Sequence, residues 1–253
     1  MDFTLKTYKK LLTAFKQANY NFITFQQFCE GRVGERFVIL RHDVDLKAEN
    51  SLETAKIEHE LGIKASYYFR IVPQSNKPHI IKQIAELQHE IGYHYEDLSL
   101  FKGNENETIK HFEKQLAYFR RFYPVRTICM HGSPTSKIDN KDIWKKYKYK
   151  DFDIIGEPYF DINFNQVFYL TDTGRTWDGE RYSVRDKVQS VFNFHFKTTN
   201  DLIKAVKSGI LPNQIMITTH PQRWTDKPLE WLFELISQSL KNRIKWLYLK
   251  QKR

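Results

Sequence analysis

The sequence predicts an α/β chain folded as a distorted (β/α) barrel of seven or eight strands in a single domain, residues 1–253. Three observations carry that expectation. Amphipathic helical stripes alternate with short apolar, β-prone runs, the pattern of βα units and a parallel sheet. Four of those runs stop at Asp or His: Phe37 to Leu40 before Arg41-His42-Asp43-Val44-Asp45, Glu90 to His94, Thr127 to His131, and Ile215 to His220. In a parallel barrel several strands deliver side chains to one site at their carboxyl ends, so these endings should converge. The 253 residues, 41% hydrophobic and 15% aromatic, suffice for one large core, and no linker, low-complexity tract or internal repeat divides them.

Each element has its own signal. Tyr8, Leu11, Leu12 and Phe15 recur at helical spacing until Asn19-Tyr20-Asn21. Phe22 to Gly31 is a short strand or turn and a second small helix, so 1–36 is an N-terminal helical region. Ala48, Leu52 and Ala55 open a helix that Gly62 stops, and Ala65 to Val72 is the next strand. Ile80, Ile84 and Leu87 lead to the strand ending at His94, and Ile109, Phe112, Leu116 and Phe119 lead to Val125–Met130 and His131. Phe152 to Gly156 and Val167 to Asp172 are strand candidates. Phe192, Phe194 and Phe196 alternate with Asn193 and His195, which also suits a strand. Asn200 caps a helix carrying Leu202, Ile203 and Val206, and after the strand to His220 the stripe Leu229, Leu232, Phe233, Ile236 and Leu240 should close the domain with a helix over 228–253.

Charge and cysteine content narrow the function classes. The net charge is +10, with much of the excess in Lys241–Arg253 and Lys145–Lys150. Both segments read first as solvated faces and second as patches for nucleic acid, an anionic membrane surface or an acidic carbohydrate. No helix-turn-helix, zinc finger or aromatic-plus-basic RNA signature occurs, so nucleic-acid binding ranks low and no nucleic acid is expected. No run approaches the roughly 18 apolar residues of a membrane span, so no transmembrane segment is expected. Met1 to Lys6 lacks a signal-peptide layout, which makes a cytoplasmic location the expectation. Cys29 and Cys129 lack CxxC spacing, and Cys129 reads as a buried small hydrophobe. His59, His79, His89 and His111 fall on helix-like stretches and read as solvent-facing.

The strand ends carry the chemistry. Burying Asp and His without partners costs several kcal/mol on the usual order-of-magnitude figure, about 2–7 for a polar group. Asp and neutral His are ligands for zinc and similar cations, and a catalytic site needs about three of them with one position open. Each histidine alone could be a satisfied structural residue; four such strand ends point to a site.

Arg41-His42-Asp43-Val44-Asp45, Leu61 to Phe69 (Leu-Gly-Ile-Lys-Ala-Ser-Tyr-Tyr-Phe), His89 to His94 (His-Glu-Ile-Gly-Tyr-His) and Thr219-His220-Pro221 stand in an order that resembles the polysaccharide deacetylase family, carbohydrate esterase family four, over roughly residues 37–224. The resemblance implies a distorted β/α barrel and metal-dependent hydrolysis of an N-acetyl or O-acetyl group on a sugar, with an N-acetylated sugar or glycan as substrate. It implies Asp43 as general base and Asp45 as metal ligand, although the family's adjacent pair is split here by Val44. The family's second metal-binding histidine, four residues after the first, is missing, because Leu98 stands there. Asp97 or a residue from another strand must then complete the shell, and His131 in His131-Gly132-Ser133-Pro134 is taken as the replacement. The expected site is therefore Asp45, His94 and His131 around a divalent ion, zinc in the first instance, with His220 as general acid. Asp172, Arg175 and Trp177, in Thr171 to Trp177, correspond loosely to the segment that orients the catalytic groups and are taken as substrate-binding. Arg175 would hold sugar hydroxyls and Trp177 a ring face; a surface salt bridge and a core aromatic are the competing readings. The alternatives in function are a catalytically inactive carbohydrate-binding barrel of the same family and, ranked lower, a basic nucleic-acid-binding protein.

Overall fold

A computed structural model of the chain describes residues 1–132, 136–177 and 188–251. Ser133 and Pro134 of the motif at His131 lie outside the described residues. Seven strands form one parallel sheet: β1 (Asn21–Ile23), β2 (Phe37–Val44), β3 (Ser66–Phe69), β4 (Glu90–Tyr95), β5 (Ile128–Met130), β6 (Phe168–Thr171) and β7 (Gln214–Thr219). Their order is β5-β4-β3-β2-β7-β6, with β1 also on β2. β1 pairs with Phe37–Ile39 and β3 with Arg41–Val44, so the two share one edge of β2 end to end. β7 takes the other edge along Phe37–His42. The sheet curls into a half-barrel, a distorted (β/α) barrel in which β5 and β6 form the outer edges.

The period-2 alternation of β2 sorts its side chains into two layers. Phe37 and Ile39 face inward with Tyr68, Cys129 and Met216. Val38, Leu40 and Val44 face outward to the helices. Helix α1 (Leu5–Gln17) starts where Thr4 accepts from the Thr7 amide at 3.0 Å and buries Tyr8, Leu11, Leu12 and Phe15. Helices α2 (Phe25–Cys29), α3 (Ala48–Glu60), α4 (Pro78–Glu86), α5 (Asp97–Leu100), α6 (Glu105–Phe119), α7 (Pro158–Asp161), α8 (Thr199–Lys207) and α9 (Pro228–Gln251) follow in chain order.

Outward-facing His42 meets the buried Glu58 of α3. The Glu58 carboxylate accepts from His42 Nε2 at 2.7 Å, Tyr67 Oη at 2.8 Å and Tyr8 Oη, and Thr219 Oγ1 reaches His42 Nδ1 at 2.7 Å. One carboxylate thus ties α1 and α3 to β2 and β3, and through His42 to β7.

His89 departs from its expected exposure, because it is fully buried under α3. Its Nδ1 accepts from the Ala65 amide at 3.1 Å and its Nε2–H donates to the Ala55 carbonyl at 3.1 Å. A proton on Nδ1 would remove the first bond, and burial pushes the imidazole below its ordinary value of 6.5 despite the Glu58 carboxylate. The unfolded chain therefore binds a proton that the folded chain refuses. Stability should fall as the pH drops below 6.5, by at most about 1.4 kcal/mol per pH unit for one proton. Melting temperature followed against pH, with His89→Gln flattening that slope, checks this.

Four other expectations need correction. Phe192 and Phe194 alternate with exposed neighbours and pack edge-on and tilted against Phe168, ring centroids 5.4 and 5.2 Å away, but no strand forms there: side-chain packing supplies the period without a backbone partner. Phe152–Gly156 contributes a single parallel bridge, Gly156 to Thr127, after a 3₁₀ turn at Tyr149–Phe152. Helix α8 is capped by Thr198, reciprocally with Asp201, and not by Asn200. The stripe of α9, expected to close the domain, faces away from it: Leu229, Phe233, Ile236, Leu240 and Ile244 are 59% to 83% exposed, while Glu234 and Gln238 are buried.

Candidate metal centre

The four strand ends do meet. Alternation along β2 turns Arg41 and Asp43 inward, with Asp45 one residue past the strand, and alternation along β4 turns Gly92, His94 and Glu96 to the same side. Gly92 is required because the Tyr68 ring lies across it. A Cβ there would collide with that ring and stand 3.0 Å from the Thr127 carbonyl. Gly92→Ala should cost about 1–3 kcal/mol by overpacking, read as a lowered denaturant midpoint, and should displace His94 two residues on. The main chain places the other two histidines: the His131 amide donates to Tyr95 O at 2.8 Å and the His220 amide to Asp172 Oδ2 at 3.0 Å.

Asp45 Oδ1 lies 3.6 Å from His94 Nε2 and 3.5 Å from His131 Nε2. An ion bound at about 2.0–2.1 Å in tetrahedral geometry keeps its ligand atoms about 3.4 Å apart, close to these two carboxylate–imidazole distances. Asp45 Oδ1 is itself buried with no hydrogen-bond partner among the described residues. The far side of each ring is fixed. His94 Nδ1–H donates to the Cys129 carbonyl at 2.9 Å and His131 Nδ1–H to Glu96 Oε2 at 3.0 Å. Glu96 is in turn gripped by Arg70 through two bonds of 2.9 and 2.8 Å. Outer partners of this kind set the tautomer and leave each Nε2 lone pair free for an ion. Burial would raise the Glu96 carboxyl, but the bonds from His131 and Arg70 hold it down at about 2. Burial opposes ionisation of Asp45 as well, yet the His94 contact and the fields of His131 and His220 keep it well below the usual carboxylate range.

Asp43 sits beside this triplet, with its carboxylate 3.8 Å from His94 Nε2. Both of its oxygens are taken by Arg41, Nε at 2.7 Å and Nη2 at 2.6 Å, in a pair that is almost wholly buried. Desolvation would raise its pKa, but the Arg41 charge and hydrogen bonds together with the fields of His94 and His220 bring it below the ordinary carboxylate value. Donor atoms of Asp43, His94 and Cys129 also lie within 4.8 Å of one another. An ion there would have to compete with the Arg41 pair and draw Cys129 from the apolar interior.

His220 Nδ1–H donates to Asp172 Oδ1 at 2.6 Å, which turns Nε2 towards Asp45 Oδ2, 3.9 Å away. Asp172 also accepts from Arg223 and, at 2.8 Å, from Trp224 Nε1. Burial acts to raise its carboxyl, but the charges of Arg223 and His220 hold it at about 2. Fully buried and so engaged, Asp172 has no oxygen left for substrate and serves to orient His220. Trp177 is a core residue, packed on Phe3 and Trp224 with its Nε1 bonded to Thr199 Oγ1 at 3.0 Å. Arg175 lies over the rings of Phe3 and Trp231 and donates to the Arg223 carbonyl at 3.2 Å, so it is directed at the α9 junction. Asp97 is occupied by Tyr93 Oη at 2.8 Å and His111 Nδ1 at 2.5 Å, and does not complete the shell. The sequence reading missed Arg41, Arg70, Glu96 and Arg223, together with Gln222, whose Nε2 reaches Asp45 Oδ2 at 3.4 Å.

No family model and no curated protein matches the chain. Among solved structures it is similar to BA3943, described as a CE4 family pseudoenzyme from Bacillus anthracis, at a TM-score of 0.44 and 15% identity over 82% of this chain and 62% of that one. A mutant of BA3943 described as having restored enzymatic activity gives the same score and identity, and this chain spans 64% of its length. The Xyl-CE4 domain of a multidomain xylanase from the hindgut metagenome of Trinervitermes trinervoides gives a TM-score of 0.41 and 15% identity over 83% of this chain and 85% of that domain.

Proposed function

We propose that the chain is a metal-dependent hydrolase that removes an acetyl group from a sugar or glycan, with Asp45, His94 and His131 as the metal ligands. The observation that carries this is Asp45 Oδ1, a buried and unpartnered carboxylate oxygen facing two imidazole nitrogens at 3.5 and 3.6 Å. When bound, a divalent ion, zinc in the first instance, supplies Lewis acidity towards the acyl carbonyl. Asp43, kept ionised by Arg41, accepts the proton of the attacking water. His220, oriented through Nδ1 by Asp172, presents Nε2 to the cleft and gives a proton to the departing amine as the C–N bond breaks and acetate leaves.

Metal titration together with acetate release from short N-acetylglucosamine oligomers, with added zinc or cobalt, tests the reading. One ion per chain and acetate production are expected; no site tighter than millimolar would remove the metal assignment. A second reading has one specific observation in its favour. Both oxygens of Asp43 are already bonded to Arg41, which suits a carbohydrate-binding barrel that holds an ion without turnover. Ion binding without acetate release would select it.

A further inference from the structure

The last helix is amphipathic with the wrong side out. At about 100° per residue, Leu229, Phe233, Ile236, Leu240 and Ile244 fall within an arc of about 80° and form an apolar stripe about 22 Å long. All five are well exposed, and no described residue covers them. The opposite side of α9 is the one that docks: Glu234 and Gln238 are buried, Trp231 Nε1 donates to Asp2 O at 2.6 Å, and Asn242 Nδ2 donates to Gly174 O at 2.9 Å. A surface helix ordinarily buries its apolar arc. A contiguous exposed arc of this size marks an interaction surface.

Charge decides what lies against it. Lys241 and Arg243 are exposed and flank the stripe on either side, and residues 241–253 contain six Lys or Arg and no Asp or Glu. A second copy of the helix is a poor partner. Side by side in parallel, the two basic halves would repel. Antiparallel, each basic half would meet only Glu230, already paired with Lys227 at 3.0 Å, because Glu234 is buried. An apolar strip bordered by cations suits an anionic lipid surface, into which such a helix lies in the plane of the headgroups. Among the described residues no helix is long and apolar enough to cross a membrane, so α9 would lie on the bilayer and not span it.

We infer that α9 seats the protein on anionic membranes through the stripe Leu229 to Ile244 and its flanking Lys241 and Arg243. The test is sedimentation of the full chain with phosphatidylcholine vesicles, with and without phosphatidylglycerol. Binding is expected only with phosphatidylglycerol and should weaken at high salt. Ile236→Glu/Leu240→Glu and, separately, Lys241→Glu/Arg243→Glu should each lower it about tenfold or more, with unchanged circular dichroism and melting. Absence of binding to the anionic vesicles, or binding indifferent to both pairs of substitutions, overturns the inference. So does a dimer in sedimentation equilibrium that Ile236→Glu/Leu240→Glu dissolves, since the stripe would then be a subunit interface.

Discussion

On the proposed reading, Asp45→Asn is expected to abolish divalent-ion binding, and Asp43→Asn to leave ion binding intact and slow turnover. The two carboxylates stand two residues apart, but their surroundings differ. Asp45 Oδ1 has no hydrogen-bond partner among the described residues and faces His94 and His131. Asp43 is saturated by Arg41. Replacing Asp45 removes an anionic donor from the shell itself, so the loss in affinity should exceed the roughly 10–100-fold that outer partners such as Glu96 command. Replacing Asp43 keeps one acceptor for Arg41 and removes the proton acceptor, typically about 10²–10⁴-fold in rate. Isothermal titration with zinc and acetate release, run on both variants, separate the roles. Equal loss of metal in both would make the carboxylates joint ligands and move the base elsewhere.

Arg41→Met should be among the most destabilising single substitutions in the chain. The guanidinium is fully buried, and it is the charge that compensates a nearly buried Asp43. Removing one member of a buried ion pair typically costs about 3–5 kcal/mol, because the other charge is left uncompensated, while replacing both is close to neutral. Arg41→Met/Asp43→Leu should therefore recover most of the loss in a urea melt. Arg41→Lys should recover little, since an ammonium cannot reproduce the two-pronged geometry. A double variant as unstable as Arg41→Met would show that Arg41 acts through packing on Tyr159, whose ring centroid is 5.3 Å away, and not through Asp43.

Much of this arrangement was legible in the sequence, and what was not has identifiable reasons. Seven of the expected strands and the convergence of Asp45, His94, His131 and His220 follow from apolar runs that stop at polar residues. The supporting charges were within reach of the same logic: Arg41 precedes Asp43 by two and Glu96 follows His94 by two, the spacing that places side chains on one face of a strand. Arg70 and Arg223 were not, because nothing local marks an arginine as the partner of a carboxylate 26 or 51 residues away. Trp177 was ambiguous for a different reason. An aromatic in a loop reads alike whether it stacks on a sugar or on Phe3, and only the burial decides. His89 was misplaced because a helical stretch in sequence became the edge of a strand, where its two nitrogens satisfy Ala65 and Ala55. The α9 stripe misled because periodicity reports that one face is apolar, not which way that face points.

The position of β7 between β2 and β6 also sets an order of assembly. β2 to β5 are neighbours both in the sheet and along the chain, so the strands that carry Asp45, His94 and His131 zip together through short-range steps. The opposite edge of β2 pairs with a strand 177 residues downstream, at His42 and Thr219. Closing so distant a contact is slow, and until it closes β2 exposes a row of unpaired amides and carbonyls. During synthesis the half of the site with Asp45, His94 and His131 would therefore exist before the half that brings Asp172 and His220. A ribosome-bound chain stalled after β5 would already gather Asp45, His94 and His131 but not His220, and its β2 edge would be bare.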